Sequence, residues 1–298
     1  MPRGIYDRKK KSQSLKEKPL DKTLKEFIGV TAKTKVTVVV PLFGYWADIP
    51  KNPVNGEVLR LALSRLYSNI HSLYVIFVAH PESLSNDLAD PTSVTNILIG
   101  WTKRGNVLNI PVGRKATYNE YLIEGLRVAL DETDSQFIMV FNPWIMIQEG
   151  AIDVLIDRAN RSDDAKVISG YDLRSIIEPE NFDKYNNSMP VEERDLQFNL
   201  TAMPRYVAEM ITLDPEYHTH VFLQADLWQQ IKQKSFEAIT SQRIPIFPFD
   251  FPWSDYEKEE DFEADRKRFI GKWTYDPGLK YIDPEGIGRK DKTHVRQV

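Results

Sequence analysis

The sequence of 298 residues contains no cysteine. Disulfide bonds and metal sites built from thiolates are therefore excluded, and a reducing compartment fits this composition. No apolar run comes near the roughly 20 residues of a membrane-spanning helix. The first residues also lack the apolar stretch of a signal peptide. We therefore expect a cytoplasmic protein without a membrane span.

Three short motifs with well-understood chemistry are missing as well. Neither a GxGxxG nor a GxxxxGK[ST] pattern occurs, so a Rossmann dinucleotide site and a P-loop lose their main support. There is no GxSxG pattern, which disfavours a serine hydrolase.

The charge is unevenly distributed along the chain. The net charge is −4, but residues 1–35 hold eleven Lys and Arg against four acids, which leaves +7 on this arm and −11 on the remainder. A basic arm on an acidic body adds salt-sensitive affinity for a polyanion such as nucleic acid. A solvated, disordered tail is the alternative.

Beyond the arm, short β-branched runs alternate with amphipathic helical patterns. Residues 36–40, 72–80, 105–113, 136–142 and 165–173 are typical of buried strands. Residues 56–69, 116–132 and 149–161 place apolar side chains at helical spacing. After about residue 172 the alternation lapses. This order predicts an α/β fold with a mixed, mostly parallel sheet, helices on both faces and a ligand crevice at the carboxyl ends of the strands.

Five segments in this order resemble the family-2-type glycosyltransferases, which have the GT-A fold and use nucleotide-sugar donors. They are VTVVVPLFGY (36–45), SLYVIFVAHPES (72–83), VGRKATYNEYLIEGLRVAL (112–130), FIMVFNPWIMIQEGAIDVL (137–155) and EEDFEADRKRFIGKWTYDP (259–277). The resemblance covers about residues 36–172 and 218–284. It implies an inverting hexosyl- or pentosyltransferase with a Rossmann-like donor half at about 36–172 and an acceptor half at about 173–298.

The resemblance also implies where the donor binds. Candidate donor-binding residues follow the predicted strands: Pro41, Phe43, His80, Glu82, Asn119, Asn142 and Trp144. Two cations just after the third strand, Arg114 and Lys115, would offset the charge of a leaving diphosphate. The alternative for this pair is an ordinary solvated loop charge.

The metal motif of this family, Asp-x-Asp, reads here as Asn142-Pro143-Trp144. Asn142 has one carbonyl oxygen to offer and Trp144 has no ligand atom. We therefore expect no tightly held Mg²⁺ or Mn²⁺ at this position. Weaker metal candidates are Asn142 itself and the imidazoles of His218, His220 and His294, because His218 and His220 would face the same side of a strand.

For the chemistry, the resemblance assigns the general base to Asp261, with Glu260 beside it. Inverting transfer needs a carboxylate that takes the proton of the acceptor hydroxyl. The alternative is a solvated acidic turn at a helix N-terminus.

The acceptor is the least constrained part of the interpretation. Trp253, Tyr256 and His220 are candidate acceptor contacts, because aromatic rings stack on sugars and bases. The basic arm favours a hydroxylated base in DNA, as in phage DNA modification, within an infected host cell. A saccharide or a lipid-linked glycan is the alternative acceptor. A catalytically inert GT-A domain that serves as a binding or scaffold module is the alternative to an enzyme.

Overall fold

The computed structural model describes residues 33–43, 53–79, 94–103, 106–112, 116–160, 166–172, 189–190, 199–248 and 258–277. Nine strands of these residues form one sheet: β1 Lys35–Pro41, β2 Ser72–Ala79, β3 Val107–Pro111, β4 Phe137–Phe141, β5 Ile145–Ile147, β6 Lys166–Asp172, β7 Met189–Pro190, β8 Leu200–Pro204 and β9 Glu237–Pro248. The helices are α1 Pro53–Ser64, α2 Val94–Thr102, α3 Tyr118–Asp131, α4 Ala151–Asn160, α5 Arg205–Met210, α6 His220–Gln233 and α7 Glu259–Trp273.

The sheet is mixed but mostly parallel, as the sequence predicts. Its order is β3-β2-β1-β4-β8-β6-β9-β5, with β7 paired to β9. The four neighbouring strands β3, β2, β1 and β4 are all parallel to one another. Strand β8 is antiparallel to both β4 and β6, which restores the original direction in β6 and β9.

Helices cover both faces of the sheet because its central strands are apolar on both sides. In β1, Val38 and Val40 point into one core and Val39 points into the other, and all three are fully buried. The first core is closed by apolar residues of α1, α2 and α4. The second core is closed by residues of α3, α5, α6 and α7. The predicted layer order is thereby confirmed.

Helix α3 packs most closely against the sheet. A capping box starts it: the Glu120 side chain accepts from the Thr117 backbone N–H at 2.6 Å, and Thr117 Oγ1 accepts from the Glu120 N–H at 3.3 Å. At Gly125, an added Cβ would lie 2.3 Å from Val39 Cγ1 and 2.8 Å from Val78 Cγ2. The glycine therefore sets how near the helix approaches β1 and β2.

Residues Glu259–Trp273, which begin with three acids, form α7. The strand expected at His218 and His220 is wrong. Thr219 is the N-cap of α6, and His220 is the first residue of that helix. The helical spacing of the buried residues Phe222, Leu223, Leu227 and Ile231 outweighs the short alternation of HTHVF. Within the described residues, none of the helices has the length and apolarity needed to cross a membrane.

Candidate functional site at the carboxyl edge of the sheet

Three elements meet where the parallel strands end. Phe43, just after β1, packs edge-on against Tyr118 and Tyr121 of α3, with ring centroids 5.9 and 5.6 Å apart. Tyr118 in turn makes an edge contact with His220 of α6 at 6.5 Å. We call Phe43, Tyr118, Tyr121 and His220 the aromatic cluster. Phe43, Tyr118 and Tyr121 are buried and belong to the second core, so the cluster packs beneath the edge at which ligands of open α/β sheets bind.

Asn119, a predicted donor residue, is fully buried at the start of α3. Its Nδ2 donates to the backbone oxygens of Tyr217 at 2.6 Å and of Thr219 at 3.2 Å. The side chain therefore ties the start of α3 to the segment that enters α6. A direct contact between Asn119 and a donor stays a prediction.

The acidic first turn of α7 lies beside the start of α6. Glu260 is exposed and Asp261 is partly buried. The next residue, Phe262, packs against Phe222 of α6 with ring centroids 5.0 Å apart. Phe222 is two residues beyond His220, so this contact places the acidic turn against the first turn of α6. The positive end of the α7 dipole favours the carboxylates there.

One turn further along α7 is a carboxylate that the sequence reading missed. Asp265 is 1% exposed and accepts at Oδ2 from the Thr219 N–H at 2.7 Å, the Thr219 hydroxyl at 2.8 Å and the His218 N–H at 2.9 Å. Burial raises the pKa of Asp265 above its usual value, and the three donors oppose that rise. The signal in the sequence is an acid at a core position, because Phe262, Asp265 and Phe269 are the buried residues of this helix.

The turn that corresponds to the metal motif does not fit a divalent ion. Asn142 Oδ1 accepts from the Trp144 N–H at 3.1 Å, and Asn142 Nδ2 donates to Asn199 Oδ1 at 3.3 Å. The ring of Trp144 is 8% exposed and packs in the first core. Mg²⁺ and Mn²⁺ need hard oxygen ligands, which an indole lacks and which the hydrogen-bonded amide supplies poorly.

The histidines are placed for different contacts. His218 is 55% exposed, and its Nδ1 lies 3.5 Å from Asp265 Oδ1. His220 contacts Tyr118 instead. In the part of the chain that the structure describes, no three His, Asp or Glu side chains are grouped to hold a metal ion.

Pro41 ends β1 and leads to the aromatic cluster. The remaining candidate residues lie outside the described residues, and their roles stay predictions. They are His80, Glu82, Arg114, Lys115, Trp253, Tyr256 and His294.

A groove of about 550 Å³ lies at the opposite edge of the sheet, where β1, β2 and β3 begin. It is lined by Lys35, Ser72, Leu73, Tyr74, Asn106, Asp131, Glu132, Thr133, Asp134 and Ser135. Because ligands of such sheets bind at the carboxyl ends of the strands, this groove is not part of the candidate site.

No protein-family model matches the sequence, and no curated protein matches it. Solved structures do match the fold. TarS of S. aureus is similar with a TM-score of 0.52 and 10% identity over 83% of this chain and 40% of that chain. TarS 1–349 in complex with UDP gives the same values over 67% of its length. The mannosyltransferase PcManGT from Pyrobaculum calidifontis, in complex with GDP-Man and Mn²⁺, has a TM-score of 0.51 and 14% identity over 86% of this chain and 68% of that chain.

These comparisons establish the fold. The chain has the architecture of glycosyltransferases of the GT-A type, as its five sequence segments imply. It spans about 40% of the length of TarS, the first of these chains.

Proposed function

We propose that this chain transfers a sugar from a nucleotide-sugar donor to a hydroxyl acceptor with inversion, and that Asp261 is the general base. The observation that carries the proposal is the contact of Phe262, in the acidic first turn of α7, with Phe222 in the first turn of α6, within a GT-A-type fold. The compared structures in complex with UDP and with GDP-Man support a nucleotide-sugar donor.

In the proposed reaction, the Asp261 carboxylate takes the proton of the acceptor hydroxyl. The acceptor oxygen attacks the anomeric carbon of the sugar from one face. The bond between that carbon and the diphosphate oxygen breaks on the opposite face, and the nucleoside diphosphate leaves with the electron pair. Arg114 and Lys115 would offset the charge that develops on the diphosphate.

The test is isothermal titration with a panel of nucleoside diphosphates and their sugars, followed by a turnover assay with each donor that binds. Binding with turnover supports a transferase. Binding without hydrolysis or transfer supports the alternative, an inert GT-A domain that serves as a binding module. No binding by any member of the panel would exclude the transferase and leave the inert scaffold module.

For the acceptor, we propose a hydroxylated base in DNA, as in phage DNA modification. Its support is the charge of +7 on residues 1–35 against −11 on the remainder. Duplex binding should weaken steeply with salt, since each phosphate contact contributes about −0.9 to the log–log slope. Replacing the Lys and Arg of residues 1–32 by Gln in the full chain should flatten that slope. Equal, salt-independent binding by both proteins would leave a saccharide or a lipid-linked glycan as the acceptor.

A further inference from the structure

The segment Tyr217, His218 and Thr219 is held from two sides. Asn119 of α3 donates to the backbone oxygens of Tyr217 and Thr219. Asp265 of α7 accepts from the backbone nitrogens of His218 and Thr219. The three residues therefore link the start of α3, next to Phe43 and the end of β1, to the helix that carries Asp261.

This link uses two side chains in unusual ways. A buried carboxyl group is unfavourable unless it is hydrogen-bonded, and Asp265, at a core position between Phe262 and Phe269, gains its hydrogen bonds from this segment. An N-cap threonine ordinarily accepts from an N–H of its own helix. The Thr219 hydroxyl donates to Asp265 instead, and its side chain makes no capping bond to α6. The side chains of Thr219 and Asp265 thus bond to each other where α6 packs against α7.

We propose that Asp265 is a positioning residue for sugar transfer. It holds the first turn of α7, and with it the Asp261 carboxylate, in register with the donor side of the crevice. The two carboxylates are four residues apart, so they lie one helical turn apart on the same face. Misplacing a reacting group by about 1 Å can cost about 100-fold in rate. The inference rests on the proposed function, because it assumes that Asp261 acts on the acceptor.

Asp226 provides a matched control. It is fully buried at the same pair of helices and accepts from Trp273 Nε1, Lys272 Nζ and Gln230 Nε2 at 2.7, 2.7 and 2.8 Å. Its partners on α7, Lys272 and Trp273, are at the far end of the helix, about 17–18 Å along the axis from Asp261 at about 1.5 Å per residue. Removing Asp226 should therefore weaken the packing of α7 without moving its first turn.

The experiment compares Asp265→Ala, Asp265→Asn and Asp226→Ala in the full chain. Turnover and KM for the donor are measured together with the free energy of unfolding. Asp265→Ala should lower kcat by about 10- to 100-fold with KM within about twofold. Asp265→Asn keeps an acceptor oxygen and should recover most of that loss. Asp226→Ala should keep kcat within about twofold after correction for the folded fraction.

Thr219→Val keeps the side-chain shape and removes only the hydroxyl bond, so it serves if Asp265→Ala does not fold. It should lower kcat by about 2- to 10-fold, as expected for one hydrogen bond. The proposal is overturned if Asp265→Ala, or Thr219→Val in its place, keeps the wild-type kcat, or if Asp265→Ala and Asp226→Ala lose activity alike. A wild-type chain without turnover on any donor is a different result, since it removes the proposed function itself.

Discussion

The side-chain oxygen of Asn142 lies 3.1 Å from the backbone nitrogen of Trp144 and accepts its hydrogen bond. The two residues that correspond to a metal-binding pair are thus hydrogen-bonded to each other within one turn. We predict that sugar transfer persists in excess chelator at a rate within about twofold of the untreated enzyme. The rate is measured with and without EDTA, and added Mg²⁺ or Mn²⁺ is the control. Complete dependence on Mn²⁺ would contradict this reading of the turn.

The second prediction concerns the general base. Asp261→Asn should lower turnover by at least about 100-fold, or about 2.7 kcal/mol of transition-state stabilisation, because the amide does not accept the acceptor proton. Donor affinity, measured by titration, should stay within about twofold. Glu259→Gln removes an exposed acid from the same helical turn and is the matched control. Equal losses in the two variants would show that the charge of the turn matters and that the base lies elsewhere.

The third prediction is a loss of stability in mild acid that originates at His71. This side chain is 5% exposed, and burial lowers its pKa although Asp153 and Asp157 oppose the shift. Nδ1 accepts from the Thr34 N–H at 3.4 Å, so a proton on Nδ1 would also break that bond.

A folded-state pKa below that of the unfolded chain means that the unfolded state binds the proton first. The contribution of His71 is therefore fully present above the unfolded pKa of about 6.5 and is lost as the pH falls below it. The slope for this one proton is at most about 1.4 kcal/mol per pH unit. Denaturant melts between pH 7.5 and 5 should show this loss in the wild type and a smaller loss in His71→Gln. If the free energy of unfolding falls equally with pH in the wild type and in His71→Gln, other groups cause the acid sensitivity.

The fourth prediction uses two glycines in helices. Gly125→Ala should destabilise the fold by about 1–3 kcal/mol, because the new methyl group would meet Val39 and Val78 well inside contact distance. Gly271 lies within α7, and no atom is within 4 Å of a Cβ built there. Gly271→Ala should therefore stabilise the fold by up to about 1 kcal/mol. Chemical denaturation of both variants decides the sign of each change.

Local sequence patterns predict the strands and helices in which buried residues recur at a regular spacing. The valines of β1 face two cores, and α3 follows its capping box and its helical spacing. Strand β9 was not predicted, because its segment Glu237–Pro248 mixes polar and apolar residues without a clear period. It is extended because three strands pair with it. Strand β6 pairs with residues 237–246, β7 pairs with residues 239–240, and β5 pairs with residues 246–248. Those partners are distant in the chain, so no short window contains the cause.

The site shows the same division between local and long-range information. Asp261 is proposed from the order of motifs along the sequence. Asp265 reads as one more solvated acid in a charged helix until its neighbours are known. Its burial depends on Thr219, whose backbone lies 46 residues earlier in the chain. Only the packing of α7 on α6 brings those two residues together.

The antiparallel position of β8 between β4 and β6 has a consequence for synthesis. The ladder of β1 to β4 can close once residue 141 has emerged, whereas both neighbours of β6, namely β8 and β9, are translated later. Roughly 75 residues separate the end of β6 from the end of β9, which at about 5–20 residues per second corresponds to about 4–15 s. Until β8 emerges the nascent sheet ends at an unpaired β4, and until β9 emerges β6 lacks its second neighbour. An open strand edge is a template for association with other chains. Ribosome pausing before residue 248 would therefore prolong the exposure of an unpaired strand edge.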